Sequence, residues 1–317
     1  MRKSRFMAKK LILVISLVIS LFVGQVIGQE FPQLLEYAVN MQSINPAFDG
    51  LWGQSGFWMS TRTNWIGVRG ALVEQQFSCY TSVLDYKAGV GLNVQRSCIG
   101  RENRLFLTGD YSFMIRVGLN RYLRFGLRAG IVNFDNSLKN YHLFPDDIPD
   151  PEYSANVRLY NMATMGLGAL LYTDRYFLSF SIPQIIANTF NVNRNIYSST
   201  PEITTIYLSG GVVFSLPRDI HLRSNMLVIH TPGKSACVDV STLVYFPGKL
   251  LLGSNFRSDG VVCFLGQYTF RNNIRIGYAV DYPMFADIRR FQFGSGEIVI
   301  GYTFNPDKRK YIKPTFF

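Results

Sequence analysis

Few side chains in this chain of 317 residues have the types and spacing that chemistry needs. Three histidines are present, His142, His221 and His230, and none has a Glu or Cys partner at the spacing that zinc sites use. The sequence also contains no Gly-x-Ser-x-Gly turn of the kind that presents a catalytic serine. We therefore predict that the protein is not an enzyme and that it holds no metal and no cofactor.

Four cysteines, Cys79, Cys98, Cys237 and Cys263, lie in or beside segments with a strand-like pattern. Their spacing matches neither a disulfide framework nor a zinc motif. We interpret them mainly as small apolar residues of a strand wall. Because an exported protein meets oxidising conditions, a Cys79–Cys98 disulfide is the alternative.

Two segments are candidates for contacts with partners. One is the acidic stretch 146–152, in which Asp146 and Asp147 are the candidate contact residues; it is either an extended solvated loop or a contact for a divalent cation or a secreted protein. The other is the basic C-terminal tail, represented by Arg309, Lys310 and Tyr311. That tail is expected to be either a solvated terminus or a contact for a periplasmic partner.

The N-terminus has the layout of a secretory signal. Five basic residues precede the apolar run Leu11 to Val23, and Val26-Ile27-Gly28 offers a peptidase site. The run is about a dozen residues, whereas a membrane helix needs roughly 20, so we predict a cleaved signal peptide over 1–28, with an uncleaved anchor helix as the alternative. Cleavage would remove five of the basic residues behind the net charge of +11. The rest shows no basic cluster typical of nucleic-acid binding, and we predict no nucleic-acid partner.

Beyond the signal, apolar residues recur at every second position, which is typical of β-strands. Residues 87–95 alternate in this way, and in residues 123–129 the two arginines Arg124 and Arg128 oppose Leu and Phe side chains. Hydrocarbon penalises Arg or Lys by roughly 2–4 kcal/mol at the bilayer midplane, whereas a wet lumen solvates them. The apolar face is therefore expected to contact lipid and the charged face to line the lumen. A soluble sandwich would exchange the two faces.

About fourteen such segments suit a single-chain bacterial outer-membrane barrel, which has an even number of strands. They lie near 56–63, 73–82, 87–96, 104–116, 122–132, 162–173, 176–183, 203–214, 220–230, 237–246, 249–258, 261–271, 273–282 and 294–304. Tight connections alternate with mostly longer ones, as periplasmic turns alternate with outer loops in such barrels. We predict an all-β fold, a transmembrane antiparallel β-barrel over 56–304. A periplasmic N-terminal segment over 29–55 and a periplasmic tail over 305–317 would flank it.

Aromatic residues near strand ends favour the membrane barrel, because Trp and Tyr concentrate at membrane–water interfaces. The residues assigned to this girdle are Trp58, Trp65, Tyr80, Tyr122, Tyr172, Tyr176, Tyr245 and Tyr302.

Inside the barrel, Asp281 and Glu297 are expected to be neutralised by Arg257 and Arg275. These charges form either a structural ladder or the lining of a pathway.

The motif Asn45-Pro46-Ala47 precedes the first strand. Proline fixes its φ angle and lacks a backbone donor. The motif is therefore expected either to end a plug-like N-terminal segment and turn the chain into the wall, or to contact a periplasmic partner.

Several motifs, taken in order, resemble those of the PorP/SprF family, outer-membrane proteins of the type IX secretion system in Bacteroidota. The opening stretch 37–50 resembles the family's first motif and contains Asn45, Pro46, Ala47 and Gly50. The matching residues further along are Arg62, Trp65 and Gly67, then Gly277, Tyr278 and Asp281 of a Gly-Tyr-x-x-Asp strand, then Gly294, Ser295 and Glu297 of a Gly-Ser-x-Glu segment. Leu72 stands where the family usually has Pro, and Gly296 where it usually has His; these departures put the transfer of substrates or partners between subfamilies in doubt.

The resemblance implies a protein that helps to assemble or operate the machine exporting proteins with a conserved C-terminal signal. The implied partners are outer-membrane lipid, periplasmic ring and lipoprotein components of that system, and secreted adhesins or proteases. The family is not known for catalysis, a metal or a cofactor. We predict a non-catalytic outer-membrane secretion component. The alternatives are a stand-alone channel for small or hydrophobic solutes and an outer-membrane enzyme.

Overall fold

In the computed structural model, the alternating segments pair into a closed antiparallel barrel. The structure describes residues 37–51, 53–137, 156–186, 189–190, 200–201, 204–247, 249–284 and 293–304. The predicted features outside these ranges are the signal peptide 1–28, the acidic residues Asp146 and Asp147, and the tail residues Arg309, Lys310 and Tyr311.

The strands, numbered in chain order, follow the period-two segments of the sequence. The first seven are β1 (Gly56–Thr63), β2 (Val73–Val83), β3 (Ala88–Ile99), β4 (Glu102–Arg116), β5 (Tyr122–Asn136), β6 (Val157–Tyr172) and β7 (Tyr176–Ile182). Two short strands, β8 (Thr189–Phe190) and β9 (Thr200–Pro201), form a separate two-stranded sheet. The others are β10 (Ile206–Leu216), β11 (Ile220–His230), β12 (Cys237–Tyr245), β13 (Leu250–Arg257), β14 (Val261–Thr269), β15 (Ile274–Pro283) and β16 (Ser295–Thr303).

Fourteen of these strands form the barrel, which confirms the predicted fold and strand count. Each barrel strand pairs with the next one along the chain, β7 pairing directly with β10. The barrel closes where β1 pairs with β16, from Gly56 opposite Thr303 to Thr63 opposite Gly296. Closure gives every barrel strand two neighbours, so the barrel has no free edge strand, as a bilayer requires of a sheet.

The two faces of the wall have the predicted polarity. Outward-facing Phe125 and Leu127 on β5 are 48% and 63% exposed, whereas Arg124 and Arg128 on the same strand are 1% and 7% exposed. Large exposed apolar side chains recur on the outer face of the other barrel strands except β2, and acyl chains would cover them. The chain is therefore an outer-membrane barrel with a polar interior.

Five of the aromatic residues assigned to the interface girdle face inward instead. Tyr80 and Tyr245 share the strand alternation of the buried residues Ser78 and Leu243. Trp58, Tyr122 and Tyr172 are only 5%, 7% and 3% exposed. Tyr122 and Tyr172 are cross-strand partners whose rings stack 5.4 Å apart. Position near a strand end does not decide which face a side chain occupies, because that depends on its parity along the strand. Trp65 and Tyr176 are exposed, at 37% and 46%.

The connections give the barrel its orientation. The turns after β2, β4 and β6 are short, whereas residues 137–156, 183–205 and 284–294 form longer connections at the other end. Short turns face the periplasm in barrels of this kind. β1 starts and β16 ends at the short-turn end; that the two flanks of the barrel are periplasmic stays a prediction.

The four cysteines are free, so the alternative of a Cys79–Cys98 disulfide is wrong. Cys79 lies opposite Leu92, and Cys98 lies opposite Val73. The two positions are therefore about 20 Å apart along the β2–β3 ladder, well beyond the Cα separation that a disulfide spans.

The helices in the described part of the chain are short 3-10 turns, Met41–Ser43 and Pro46–Phe48. Among the described residues, no helix has the length and apolar character that crossing a membrane would take.

Candidate functional site

Residues 37–51 lie inside the barrel, and we call this segment the lumen plug. Its residues are buried, except that Ser43 and Ile44 are half-buried. Phe48 of the plug meets Phe177 of the wall edge-on at 5.9 Å. The wall elsewhere is closed to solvent too, since Ser78 and Asn255 are 0% and 3% exposed. The lumen is therefore filled at this level. Which side of the membrane the rest of the predicted segment 29–55 occupies stays a prediction.

The Asn45-Pro46-Ala47 motif fixes the middle of the plug to the wall. The Asn45 Oδ1 atom accepts from the Ala47 backbone N–H at 2.8 Å and caps the second 3-10 turn. Its Nδ2 atom donates to the Ser179 hydroxyl at 2.7 Å and to the carbonyls of Ala169 and Phe180. Pro46 suits the first position of that turn, where no backbone donor is needed. The motif thus makes a plug contact; a role in binding a partner stays a prediction.

Glycines on the inner face of the wall make room for the plug. A Cβ atom added at Gly89, Gly126 or Gly168 would overlap atoms of Asp49, Ala47 or Asn45, respectively. At Gly91 it would lie 2.6 Å from the Asp49 carboxylate. The absence of a side chain lets the plug backbone approach the strands closely.

Arg128 on β5 joins the wall to the plug. Its guanidinium donates to both carboxylate oxygens of Asp110, at 2.8 and 2.6 Å, and to the carbonyls of Gln42 and Ser43, at 2.9 and 3.0 Å. Asn93 donates to the same carboxylate at 2.8 Å. A buried ion pair is stable only when such bonds satisfy its remaining donors and acceptors. Here the plug backbone supplies two of them.

The C-terminal end of the plug is held by a series of hydrogen bonds. Arg124 donates to the Ser112 hydroxyl at 2.9 Å, and Ser112 donates to the Asp49 carbonyl at 2.6 Å. Burial raises the pKa of the Asp49 carboxyl well above its usual value, and the nearby Asp110 carboxylate raises it further. The neutral form of Asp49 is therefore favoured while the plug is seated.

The late motif residues meet near the outer end of the barrel, around Arg62 of β1. The Arg62 guanidinium lies 3.0 Å from the Asp281 carboxylate, and Arg62 is the cross-strand partner of Glu297. The Ser295 backbone N–H donates to Asp281 at 2.7 Å. Nearby on β2, Glu74 accepts from Asn64 at 3.0 Å. We call Arg62, Asp281, Ser295 and Glu297 the Arg62 cluster.

The structure confirms that Asp281 and Glu297 point inward, since they are 8% and 1% exposed. Of the expected partners, Arg257 interacts electrostatically with Asp281, but the direct ion pair of Asp281 is with Arg62. Arg257 pairs with Asp239 and Asp259, at 3.5 and 3.8 Å, and Arg275 donates to the Thr303 hydroxyl. Arg62 takes their place because the β1–β16 seam puts it on the inward face beside β15 and β16.

The remaining motif residues serve the backbone or the outer surface. Gly50, Gly67 and Gly294 have φ angles of 68°, 98° and 94°, and a Cβ at Gly294 would overlap the Asp281 carbonyl. Such positive φ angles favour glycine. Gly277 is buried in the wall, whereas Tyr278 faces lipid and is 53% exposed.

Sequence reasoning missed two anchors of the plug, Arg128 and Tyr37. The Tyr37 hydroxyl donates to the Asp239 carboxylate at 2.8 Å, which ties the start of the plug to β12. A signal was present in the glycines that share the polar face of residues 87–95 with charged and amide side chains. A polar face that carries glycines has room for a second segment of chain.

Within the described residues, no three His, Cys, Asp or Glu side chains are grouped so that they could hold a metal ion. Arg128 and Asp239 of the lumen are instead engaged with other wall residues and with the plug. This arrangement can hold the lumen plug in place, and its ion pairs can stabilise the barrel wall.

A family model described as type IX secretion system membrane protein PorP/SprF matches residues 26–302. A comparison with curated proteins finds no match.

Among solved structures, the chain is similar to a FadL homologue of Pseudomonas aeruginosa, with 13% identity and a TM-score of 0.45 over 87% of this chain and 94% of that one. It is also similar to the outer membrane protein Omp33 of Acinetobacter baumannii, with 7% identity and a TM-score of 0.45 over 80% and 99% of the two chains. A porin of Rhodopseudomonas blastica matches with 8% identity and a TM-score of 0.34 over 79% and 99%.

Proposed function

Because the chain belongs to the PorP/SprF family of type IX secretion system membrane proteins, we propose that it is required for the export of proteins that carry a C-terminal signal. It acts without catalysis, by linking the outer membrane to periplasmic machinery of that system or by attending a secreted substrate. The observation that carries the proposal is the family match, which runs over residues 26–302.

The filled lumen supports this proposal over a stand-alone solute channel. An aqueous pore needs inward side chains that water reaches, whereas Arg124, Ser112 and Ser78 are at most 1% exposed. The lumen plug is bonded to β4, β5, β6, β7 and β12. A solute would have to displace these contacts before it could pass.

The state of the charged residues supports a non-catalytic role. Asp110 is held by Arg128, and Asp281 by Arg62, so these carboxylates are engaged in buried ion pairs. A general acid or base has to reach a substrate proton within hydrogen-bonding distance, and Asp110 and Asp281 are only 3% and 8% exposed.

Deletion of the gene followed by a secretion assay tests the proposal. We expect proteins with the C-terminal signal to accumulate in the periplasm of the deletion strain and to reappear outside when the intact gene is restored. Normal export in the deletion strain would overturn the proposal.

A second measurement separates the channel alternative. Purified barrel reconstituted in planar bilayers is expected to conduct little, because the plug fills the lumen. A large, steady conductance, together with solute-specific growth loss and intact export in the deletion strain, would favour the channel.

Crosslinking from the tail tests the link to the periplasm. A photo-reactive amino acid at Tyr311 is expected to capture ring or lipoprotein components of the secretion system. The control is the same probe at Arg69 in the outer connection after β1. Capture of the same proteins from both positions would contradict a periplasmic contact.

A further inference from the structure

Two short turns stand side by side at the periplasmic end of the barrel. Residues 117–121 connect β4 to β5, and residues 173–175 connect β6 to β7. Together with Tyr176 they line an open groove of about 510 Å³. We call this surface the turn groove.

The turn groove has a fixed shape. The Arg116 guanidinium donates to the carbonyls of Gly118 and Leu119, at 3.0 and 2.8 Å. In the other turn, the Thr173 hydroxyl accepts from the backbone N–H groups of Arg175 and Tyr176, at 3.2 and 3.1 Å. Because its backbone is already ordered, the groove loses little entropy when it binds a partner.

An apolar side chain stands unprotected at the tip of this surface. Leu119 is 86% exposed, and Val117 beside it is 52% exposed. Asn120 and Arg121 next to the tip are exposed as well. Because an arginine is costly in hydrocarbon, these neighbours place the Leu119 tip at the aqueous side of the membrane interface, where apolar surface gains from being covered.

The groove is lined by Arg121 and Arg175 against Asp174, and the short-turn end of the barrel as a whole is mainly positive. Six short turns at the periplasmic end lie at 84–87, 117–121, 173–175, 217–219, 246–249 and 270–273, all within the described residues except for position 248. They contain six basic residues, namely Lys87, Arg121, Arg175, Arg218, Lys249 and Arg271, against the acidic residues Asp85, Asp174 and Asp219. All six basic residues are exposed. A surface of this charge attracts and orients an acidic partner.

We propose that the turn groove docks a periplasmic protein segment in which acidic side chains flank an apolar pocket. Leu119 enters the pocket, and Arg121 and Arg175 pair with the carboxylates. Arginine beside a large apolar side chain is a common centre of binding energy at protein interfaces. This inference rests on the proposed function, and it adds the surface and the chemistry of the periplasmic partner.

Two groups of variants test the groove in cells that carry the full chain. Leu119→Asp removes the apolar anchor, and the double variant Arg121→Glu, Arg175→Glu reverses the charge. Their matched controls at the outer end are Phe293→Asp, at a residue 81% exposed, and Arg69→Glu. A photo-reactive amino acid at Val117 reports the contact, and each adduct is sequenced.

We expect the Val117 probe in the unmodified chain to capture a periplasmic protein through a segment rich in Asp and Glu. Leu119→Asp and the double reversal are each expected to lower this capture and the export of C-terminal-signal proteins at least tenfold, with the controls unchanged. Heat-dependent migration on gels reports barrel folding for every variant. If a variant fails to fold, Leu119→Ala and Arg121→Gln give the same test with milder changes.

Four outcomes would overturn the proposal. Adducts to lipid alone would identify the Leu119 tip as a membrane anchor, and adducts to a second copy of the chain would identify a contact between barrels. Unchanged capture in the charge-reversed chain would exclude the acidic partner. Loss of export on gene deletion, combined with normal export in all groove variants, would exclude the turn groove as a docking surface. The proposed function would then still hold.

Discussion

The Arg128 guanidinium lies 2.9 Å from the Gln42 carbonyl oxygen and thereby ties strand β5 to the lumen plug. The same side chain forms the buried ion pair with Asp110. One arginine therefore holds a wall charge and a plug carbonyl together, so the seating of the plug depends on the charge balance of the wall.

Replacing Arg128 should loosen the plug. Arg128→Ala leaves the Asp110 carboxylate buried without its cation, a change that typically costs about 3–5 kcal/mol. We expect a lower unfolding midpoint in denaturant and a several-fold rise in bilayer conductance. Arg96→Ala is the control, because Arg96 is exposed and pairs with Asn103 outside the plug contact. Equal effects of the two variants would contradict the anchoring role.

Adding a methyl group at Gly168 should displace the plug without a charge change. The Cβ of Gly168→Ala would overlap the Asn45 Oδ1 atom, whereas a Cβ at Gly266 would have ordinary contact with Leu252 at 3.6 Å. We expect Gly168→Ala, but not Gly266→Ala, to speed amide hydrogen exchange across residues 40–50. An overpacked site of this kind loses about 1–3 kcal/mol. Unchanged exchange in both variants would show that the plug tolerates the insertion.

The seating of the plug should weaken as pH rises. The pKa of the Asp49 carboxyl is raised, first by burial and then by the Asp110 carboxylate, although Arg128 and Arg124 act in the opposite direction. A raised pKa in the seated state means that proton binding stabilises that state. The stabilisation is complete below the ordinary Asp value of about 4 and is lost as pH rises through the raised value.

Bilayer conductance measured across that pH range should therefore increase with pH. Asp49→Asn, which keeps the shape and removes the titration, is expected to give a flat profile. The same slope in the variant would assign the pH dependence to another group.

Breaking the Arg62 cluster should destabilise the outer end of the barrel. Arg62→Ala removes the cation that lies 3.0 Å from the buried Asp281 carboxylate, for a loss of about 3–5 kcal/mol. Arg104→Ala removes the half-exposed Arg104–Glu102 pair and is expected to cost at most about 1 kcal/mol. Urea unfolding of the two variants in detergent checks the difference. A loss for Arg62→Ala as small as that for Arg104→Ala would mean that Arg62 is dispensable.

The wall of the barrel was predictable from sequence because the alternation of polar and apolar residues is visible within each strand. Arg124 and Arg128 alternate with Phe125 and Leu127, and this local pattern determines both the strand and the face that lipid covers. The same alternation places Tyr122 inward. Its assignment to the girdle was wrong because it was based on closeness to a strand end and left the two-residue alternation out.

The site was less predictable because it depends on residues far apart in the chain. Arg62 and Asp281 are 219 residues apart, and only closure of the barrel puts them beside each other. The plug posed the same difficulty. Its Asn45-Pro46-Ala47 motif indicated a turn, but the strands that receive it follow from the positions of Gly126 and Gly168 in three dimensions.

The β1–β16 seam implies an order of events in biogenesis. The first barrel strand cannot complete its ladder until the last one pairs with it, so the cylinder stays open along one side until β16 is in place. The lumen plug, which precedes β1, can enter the barrel from the side during that interval. Once β1 and β16 have paired, the plug is enclosed, and it can leave only through an end of the cylinder.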